Sequence, residues 1–205
     1  MSLAASLCLA TLGWAGFQRF HRQPALPRYG AVPIFERIDE HDRPLSDRTL
    51  RGAVWVADFF FLSCPTSCPK LTAKMAALQE TLASEAQSAP TKRPIRLVSF
   101  SVDPENDTPP KLLEYAKKHG ARDGVWSFLT GPADTLESIV VSGFKLQLER
   151  QGAKPGEPPS AYTIMHGDWF VLVDAEGTLR GYYDMTDEER AQALVRDARR
   201  LAGAR

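Results

Sequence analysis

Cysteine is scarce: the 205-residue chain holds three, Cys8, Cys64 and Cys68. Three are too few for a disulfide-built scaffold, and Cys8 lies in an apolar leader. The folded part therefore carries a single pair, which reads as active rather than architectural. Net charge is missing too, with Lys+Arg and Asp+Glu both at 25. That balance argues against the basic footprint of a nucleic-acid-binding domain. There is no internal repeat, no second domain, and no nucleotide, flavin or haem motif. One stretch, Met1–Phe17, is a long run without any charged side chain, and Arg19 and Arg22 follow it. It sits at the lower limit for crossing a bilayer. The positive start and small-x-small cleavage site of a signal peptide are missing, and Ala5-Ser6-Leu7-Cys8 is a poor lipoprotein site. Residues 1–18 are expected to be a membrane anchor or signal-like segment, 19–30 a linker and 31–203 one domain. Arginines just after an anchor would hold that side in the cytoplasm. Basic residues ahead of the anchor, from a start further upstream, would reconcile the charges with an exported domain.

What is present is organised around Cys64-Pro65-Thr66-Ser67-Cys68-Pro69. Two thiols sit at a strand-to-helix junction. Free N–H groups and the positive end of a helix dipole there favour thiolate over thiol. A thiolate is both a nucleophile and a soft metal ligand, so redox chemistry and copper or zinc binding are both open. Core filler or a structural disulfide is the plainer alternative; prolines at both flanks argue against it.

In chain order, Ile34–Ile38 and the turn His41-Asp42-Arg43-Pro44 suggest a small hairpin. Val54–Leu62 reads as a central strand buried on both faces. A helix is expected from about Pro69, with Leu71, Met75, Leu78 and Leu82 as its buried stripe. Ser84–Pro94 reads as a polar loop, Ile95–Val102 as a strand and Pro109–His119 as a helix capped by Asp107 or Thr108. Trp126–Thr130 reads as a strand, Pro132–Ser142 as a helix and Phe144–Leu148 as a strand. Gln151–Ser160 is a Gly/Pro-rich loop. Trp169–Val173 and Thr178–Tyr183 form a hairpin, and Asp187–Ala202 an amphipathic helix. The alternation gives an α/β fold around one sheet, with the cysteines at the carboxyl end of a central strand, where such sheets place their sites.

These residues resemble the Sco/SenC family. The carriers are Phe59-Phe60-Phe61-Leu62-Ser63-Cys64-Pro65-Thr66-Ser67-Cys68-Pro69, then Ser101-Val102-Asp103-Pro104-Glu105-Asn106-Asp107-Thr108-Pro109, then Trp126-Ser127-Phe128-Leu129-Thr130-Gly131, then His166. The four blocks come in family order across roughly Gly30 to Leu201. The resemblance implies a thioredoxin-like fold: a central mixed sheet flanked by helices, here with an N-terminal hairpin extension. It implies copper held by Cys64, Cys68 and His166. It also implies assistance in assembling the binuclear copper centre of cytochrome c oxidase. The expected partners are the copper-bearing oxidase subunit and possible further copper chaperones or thiol reductants. The expected place is the bacterial inner membrane, with the soluble domain in the periplasm. Where the family usually reads Asp-His-Ser, this chain reads Met165-His166-Gly167. Met165 is open to two readings, a thioether for Cu(I) or apolar packing.

Two thiolates and an imidazole serve both copper oxidation states and leave a position open for transfer. Zinc would use the same three ligands plus water, but no fourth protein ligand for a structural site is evident. The alternative function is a thiol–disulfide oxidoreductase that keeps a partner's copper-site cysteines reduced, with Cys64 and Cys68 as its catalytic pair. A thiol peroxidase would need a dedicated Thr and Arg beside one cysteine, and no Arg stands there. Asp58 lies six residues before Cys64 in an apolar strand, the spacing of the buried proton-accepting aspartate of thioredoxins; a solvated or backbone-bonded carboxylate is the alternative. Asp107 is expected to be a helix cap. Asp103 is a cap, a group near the site or a partner contact, and Tyr162 is placed beside the site by position alone. His21 and His41 read as solvated, and His119 as answering to a helix dipole.

Overall fold

The computed structural model describes residues 24–65, 67–146, 149–150, 162–163 and 169–203. An N-terminal hairpin of β1 (Glu36–Ile38) and β2 (Pro44–Ser46) leads into β3 (Val54–Phe60), which is buried at every position. Helix α1 (Ser67–Ser88) crosses to β4 (Ile95–Ser101), and α2 (Pro109–Lys118) crosses to β5 (Trp126–Leu129), both strands lying parallel to β3. Beyond a turn region, β6 (Glu149–Arg150) pairs with β7 (Tyr162–Thr163). β8 (Trp169–Val173) and β9 (Leu179–Asp184) then add antiparallel strands, and α3 (Glu188–Leu201) closes the described chain. The main sheet has the order β5-β4-β3-β8-β9, the thioredoxin-like mixed sheet.

β3 shows no polar alternation because both faces of the sheet are covered. On one face Val54, Val56 and Phe60 meet Leu71, Met75 and Leu78 of α1, Leu112 of α2, and Leu194 and Ala198 of α3. On the other, Trp55, Ala57 and Phe59 meet Val32, Phe35, Leu45, Ile139 and Phe144. The hairpin also closes an open edge. Ile38 and Thr130 exchange backbone hydrogen bonds of 3.1 and 3.0 Å, and the Glu40 carboxylate accepts the Phe128 N–H at 2.8 Å. A covered edge cannot pair with another chain.

Three local expectations change. The first helix starts at Ser67 and runs through Ser84–Ser88, where a loop was predicted. Ser-Glu-Ala-Gln-Ser contains no helix breaker, and Pro90 is the first residue that must stop it. Pro132–Ser142 is not a regular helix: it is a 3-10 turn at Ala133–Thr135 and a wide π turn at Ser138–Gly143. The π turn seats Gly143 against Pro33, whose nearest ring atom would lie 2.3 Å from an added Cβ. Phe144–Leu146 is not a strand either, because Lys145 adopts a φ of 60°, which interrupts extended backbone. Among the described residues no helix is long and apolar enough to cross a membrane; Met1–Phe17 and the Gln151–Ser160 loop lie outside them.

Candidate functional site

β3 delivers the chain to its carboxyl end, and the Cys64 N–H closes a turn onto the Phe61 carbonyl at 3.3 Å. Because α1 begins at Ser67, Cys68 lies in its first helical turn. Its backbone N–H, one of the donors a helix start leaves over, points at the Cys64 Sγ at 3.4 Å. The Ser67 hydroxyl lies 3.8 Å from the same sulfur. Both cysteines are thiols, not joined by a disulfide.

The pair is buried: 8% of Cys64 and 5% of Cys68 is accessible. Both belong to the core cluster of Phe60 and Leu71, with Phe61 and Leu62 packed alongside. Burial also reverses the expectation for one thiol. Cys68 is pushed up to about 12, first by desolvation and then by its hydrogen bond with the Cys64 sulfur, with a backbone bond to Phe61 acting the other way. At Cys68 desolvation outweighs the pull of the helix N-terminus. Two sulfurs in hydrogen-bond contact at one turn are a donor set that fits a single soft ion, and an ion bound there displaces the thiol protons.

Around the pair lies a polar network inside apolar walls. The Thr72 hydroxyl donates to the Cys68 carbonyl at 2.9 Å and accepts from the Tyr115 hydroxyl at 2.9 Å. The Tyr115 ring stacks on Phe60 with centroids 5.7 Å apart. Its phenol is raised above the ordinary range by burial, less a Thr72 hydrogen bond. Sequence reasoning passes over both residues. Tyr115 shares the buried helical face of Leu112 and Ala116, and a threonine four residues after a cysteine in a helix can bond back to its carbonyl.

Asp58 is buried on the cysteine side of β3, in line with Val56 and Phe60, rather than solvated. Burial pushes its carboxyl up to about 7, less a hydrogen bond to Ser99, its register partner on β4. Ser99 in turn accepts the Trp126 indole N–H at 2.9 Å. The Asp58 Oδ1 has no hydrogen-bond partner, and its charge acts on Cys68.

Asp107 does not cap α2. Thr108 holds the cap position without a side-chain bond. The buried Asp107 carboxylate instead accepts the Leu62 N–H at 3.2 Å and the Ser101 hydroxyl at 2.7 Å. It ties the second motif to the residue two before Cys64. Desolvation pushes it up to about 6. Asp103 closes its own loop, accepting the Asn106 side-chain amide at 2.9 and 3.0 Å.

His166, with Met165 and Gly167, lies outside the described residues, as does His21; of Tyr162 the backbone alone is described, in β7. Met75 is fully buried core. His119 follows α2 with its ring 4.3 Å from that of Tyr115, and is lowered by burial and Lys118 against the helix dipole. His41 is exposed at the hairpin turn. With Glu40 and Asp123 it offers donor atoms within 4.8 Å of one another, but Arg43 bonds Asp123 and Glu40 holds the Phe128 N–H.

Residues 26–203 match the SCO1/SenC family model. A protein of Stutzerimonas stutzeri named for copper binding is 31% identical over 157 residues, 77% of this chain and 71% of its own length. The crystal structure of a SCO1/SenC family lipoprotein from Bacillus anthracis str. Ames superimposes with a TM-score of 0.72 at 29% identity, covering 84% of this chain and 95% of that one. BsSco, described with a disulfide switch and as a member of the Sco family of cytochrome c oxidase assembly proteins, gives 0.71 at 29% identity, covering 88% and 98%. With a thioredoxin-like sheet, a two-cysteine turn at the end of its central strand and a family match from Leu26 to Gly203, this chain belongs to the SCO1/SenC family.

Proposed function

We propose that this chain is a copper carrier that loads the binuclear copper centre of cytochrome c oxidase. The observation that carries the reading is the Cys64–Cys68 turn: two sulfurs in contact, walled by Phe60, Phe61 and Leu62. Copper is the cargo, and soft thiolates suit Cu(I). His166 is the third ligand by family position, and its imidazole lets the same site accept Cu(II). Exchange to the oxidase subunit proceeds through the position that three ligands leave open. Met1–Phe17 anchors the chain in the bacterial inner membrane with the domain in the periplasm, in keeping with the lipoprotein relative. Other copper chaperones would charge the site, and thiol reductants would keep its cysteines reduced.

The test is copper titration of the full chain in detergent beside His166→Ala and Cys68→Ser. Intact protein is expected to bind one equivalent and develop a thiolate-to-Cu(II) absorption, and both variants to lose it. Equal spectra for intact chain and His166→Ala would remove His166 from the ligand set. Absence of any thiolate band in intact protein would sink the copper reading.

A second reading is favoured by Asp58, a buried carboxyl held near neutrality beside the pair. In it, Cys64 and Cys68 reduce a disulfide of the oxidase subunit. One cysteine attacks as thiolate to form a mixed disulfide, and the other displaces the partner. Two electrons and two protons pass to the partner dithiol, and a Cys64–Cys68 disulfide remains. Asp58 would take up and return the proton. Copper indifference combined with rapid reduction of a peptide disulfide would select this reading.

A further inference from the structure

The chain is neutral overall, yet exposed basic side chains gather at one end of the sheet. β3 runs from Val54 towards Cys64, and β8 opposes it with Val173 beside Trp55. The β8–β9 turn, Asp174–Thr178, therefore lies at the end away from the thiols, roughly 23 Å along a seven-residue strand.

Basic side chains gather around that turn. Arg51 donates to the Glu176 carbonyl, and Arg93 pairs with the Glu176 carboxylate at 3.4 Å. Arg28 donates to Thr178 at 3.1 Å. Lys92 borders Gly203 after α3, its N–H bonded to the Ala202 carbonyl at 2.9 Å. Arg28, Arg51, Lys92 and Arg93 are exposed. The acids near them are largely spoken for. Asp174 is buried and paired with Arg180 at 2.8 Å, Asp47 is buried beside Arg51, and Glu176, which is exposed, is held by Arg93. The thiol end is mixed, with Glu105, Asp187, Glu188 and Glu189 exposed there beside Lys70, Lys111 and Arg190.

The N-terminal segment is fastened to the same basic end. Arg200 donates to the Pro24 carbonyl at 2.5 Å, and Arg180 to those of Leu26 and Pro27 at 2.8 Å each. Tyr29 and Leu179 share a backbone bond of 2.9 Å. Between Pro24 and the apolar stretch Met1–Phe17 stand residues 18–23, which fully extended reach at most about 20 Å. An anchor formed by Met1–Phe17 thus holds the basic end, and not the thiol end, next to the bilayer.

We propose that the pole formed by Arg28, Arg51, Lys92 and Arg93 rests on the anionic headgroups of the membrane, so that Cys64 and Cys68 are presented outward to their partner. The proposal rests on the anchored reading above. Each Lys or Arg near an anionic surface adds attraction that salt screens, and the thiol end, where both signs are exposed, offers no comparable net attraction. The fixed orientation would keep the sulfur pair out of the headgroup layer and turned towards protein that projects from the membrane.

The test is lysine footprinting of the full chain in lipid nanodiscs, of phosphatidylcholine alone or of equal parts phosphatidylcholine and phosphatidylglycerol. A water-soluble acylating reagent is read out by mass spectrometry. Lys92 is expected to react roughly fivefold more slowly in the anionic discs, the factor one basic residue gains there. About 0.5 M salt should restore its rate. Lys70 and Lys111, at the thiol end, should react alike in both discs. Equal Lys92 rates in the two lipids, or equal protection of Lys70 and Lys111, would overturn the proposal and leave anchoring intact. Failure of the chain to enter either disc would overturn the anchored reading and this proposal with it.

Discussion

Asp58 keeps a proton that an ordinary aspartate has lost at the same pH. Folded, its carboxyl titrates at about 7; in the unfolded chain it titrates near 4. Between these values the folded state binds the extra proton, so its contribution to stability falls as pH rises from about 4 to about 7 and stays unfavourable above. Asp58→Asn removes the buried charge. It should stabilise the chain at pH 8 by on the order of 2–4 kcal/mol and change little at pH 4, as denaturant unfolding at the two pH values will show. If the same variant leaves the pH profile of Cys64/Cys68 oxidation unmoved, Asp58 is not the proton acceptor of the pair. Asp107 acts differently, by holding Leu62. Asp107→Ala leaves that N–H and the Ser101 hydroxyl without their acceptor, at a cost of about 1–3 kcal/mol, and should hasten copper loss in a chelator-competition assay. Asp58 was legible in the sequence as a charge inside an apolar strand. Asp107 was not: its partner Leu62 is 45 residues away, and the local rule for an acid before a helix pointed to a cap instead.

At the scale of elements, strong local patterns carried over and weak ones did not. Val54–Phe60, the α1 stripe and the final hairpin follow from apolar periodicity and turn residues. α1 overran its expected end because polar composition at Ser84–Ser88 was read as loop although each residue tolerates helix. The Ser138–Gly143 turn is set by tertiary contact, since Gly143 lies under Pro33, more than a hundred residues earlier. Gly143→Ala should therefore destabilise by roughly 1–3 kcal/mol in thermal or denaturant unfolding. Pro33→Gly, which removes the ring it meets, should recover part of that loss; no recovery would show that the glycine is needed for its own backbone. The burial of the sulfur pair also belongs at this scale. A strand-to-helix junction was visible in the sequence, but the closing of Phe61, Leu62 and Leu71 over it was not.

At the scale of the molecule, one sheet sets both ends of the function. Its carboxyl end holds the sulfur pair, backed by Thr72, Tyr115 and Asp58. Its other end holds the N-terminal segment and a basic surface. The α/β class, the site's position on the sheet and the Cys64/Cys68 pair were readable from residue pattern. The membership and the copper reading needed the ordered blocks of the whole chain, because two thiols at one turn serve redox and metal chemistry equally. The basic cluster at the far end was hidden, since a neutral composition says nothing about where charges fold. The central claim is that copper sits on both cysteines and on His166. X-ray absorption of the full chain loaded with one equivalent of Cu(I) reads those ligands directly. The account predicts two sulfur scatterers and one imidazole nitrogen, with the nitrogen lost in His166→Ala. A copper shell of nitrogen and oxygen alone would contradict it.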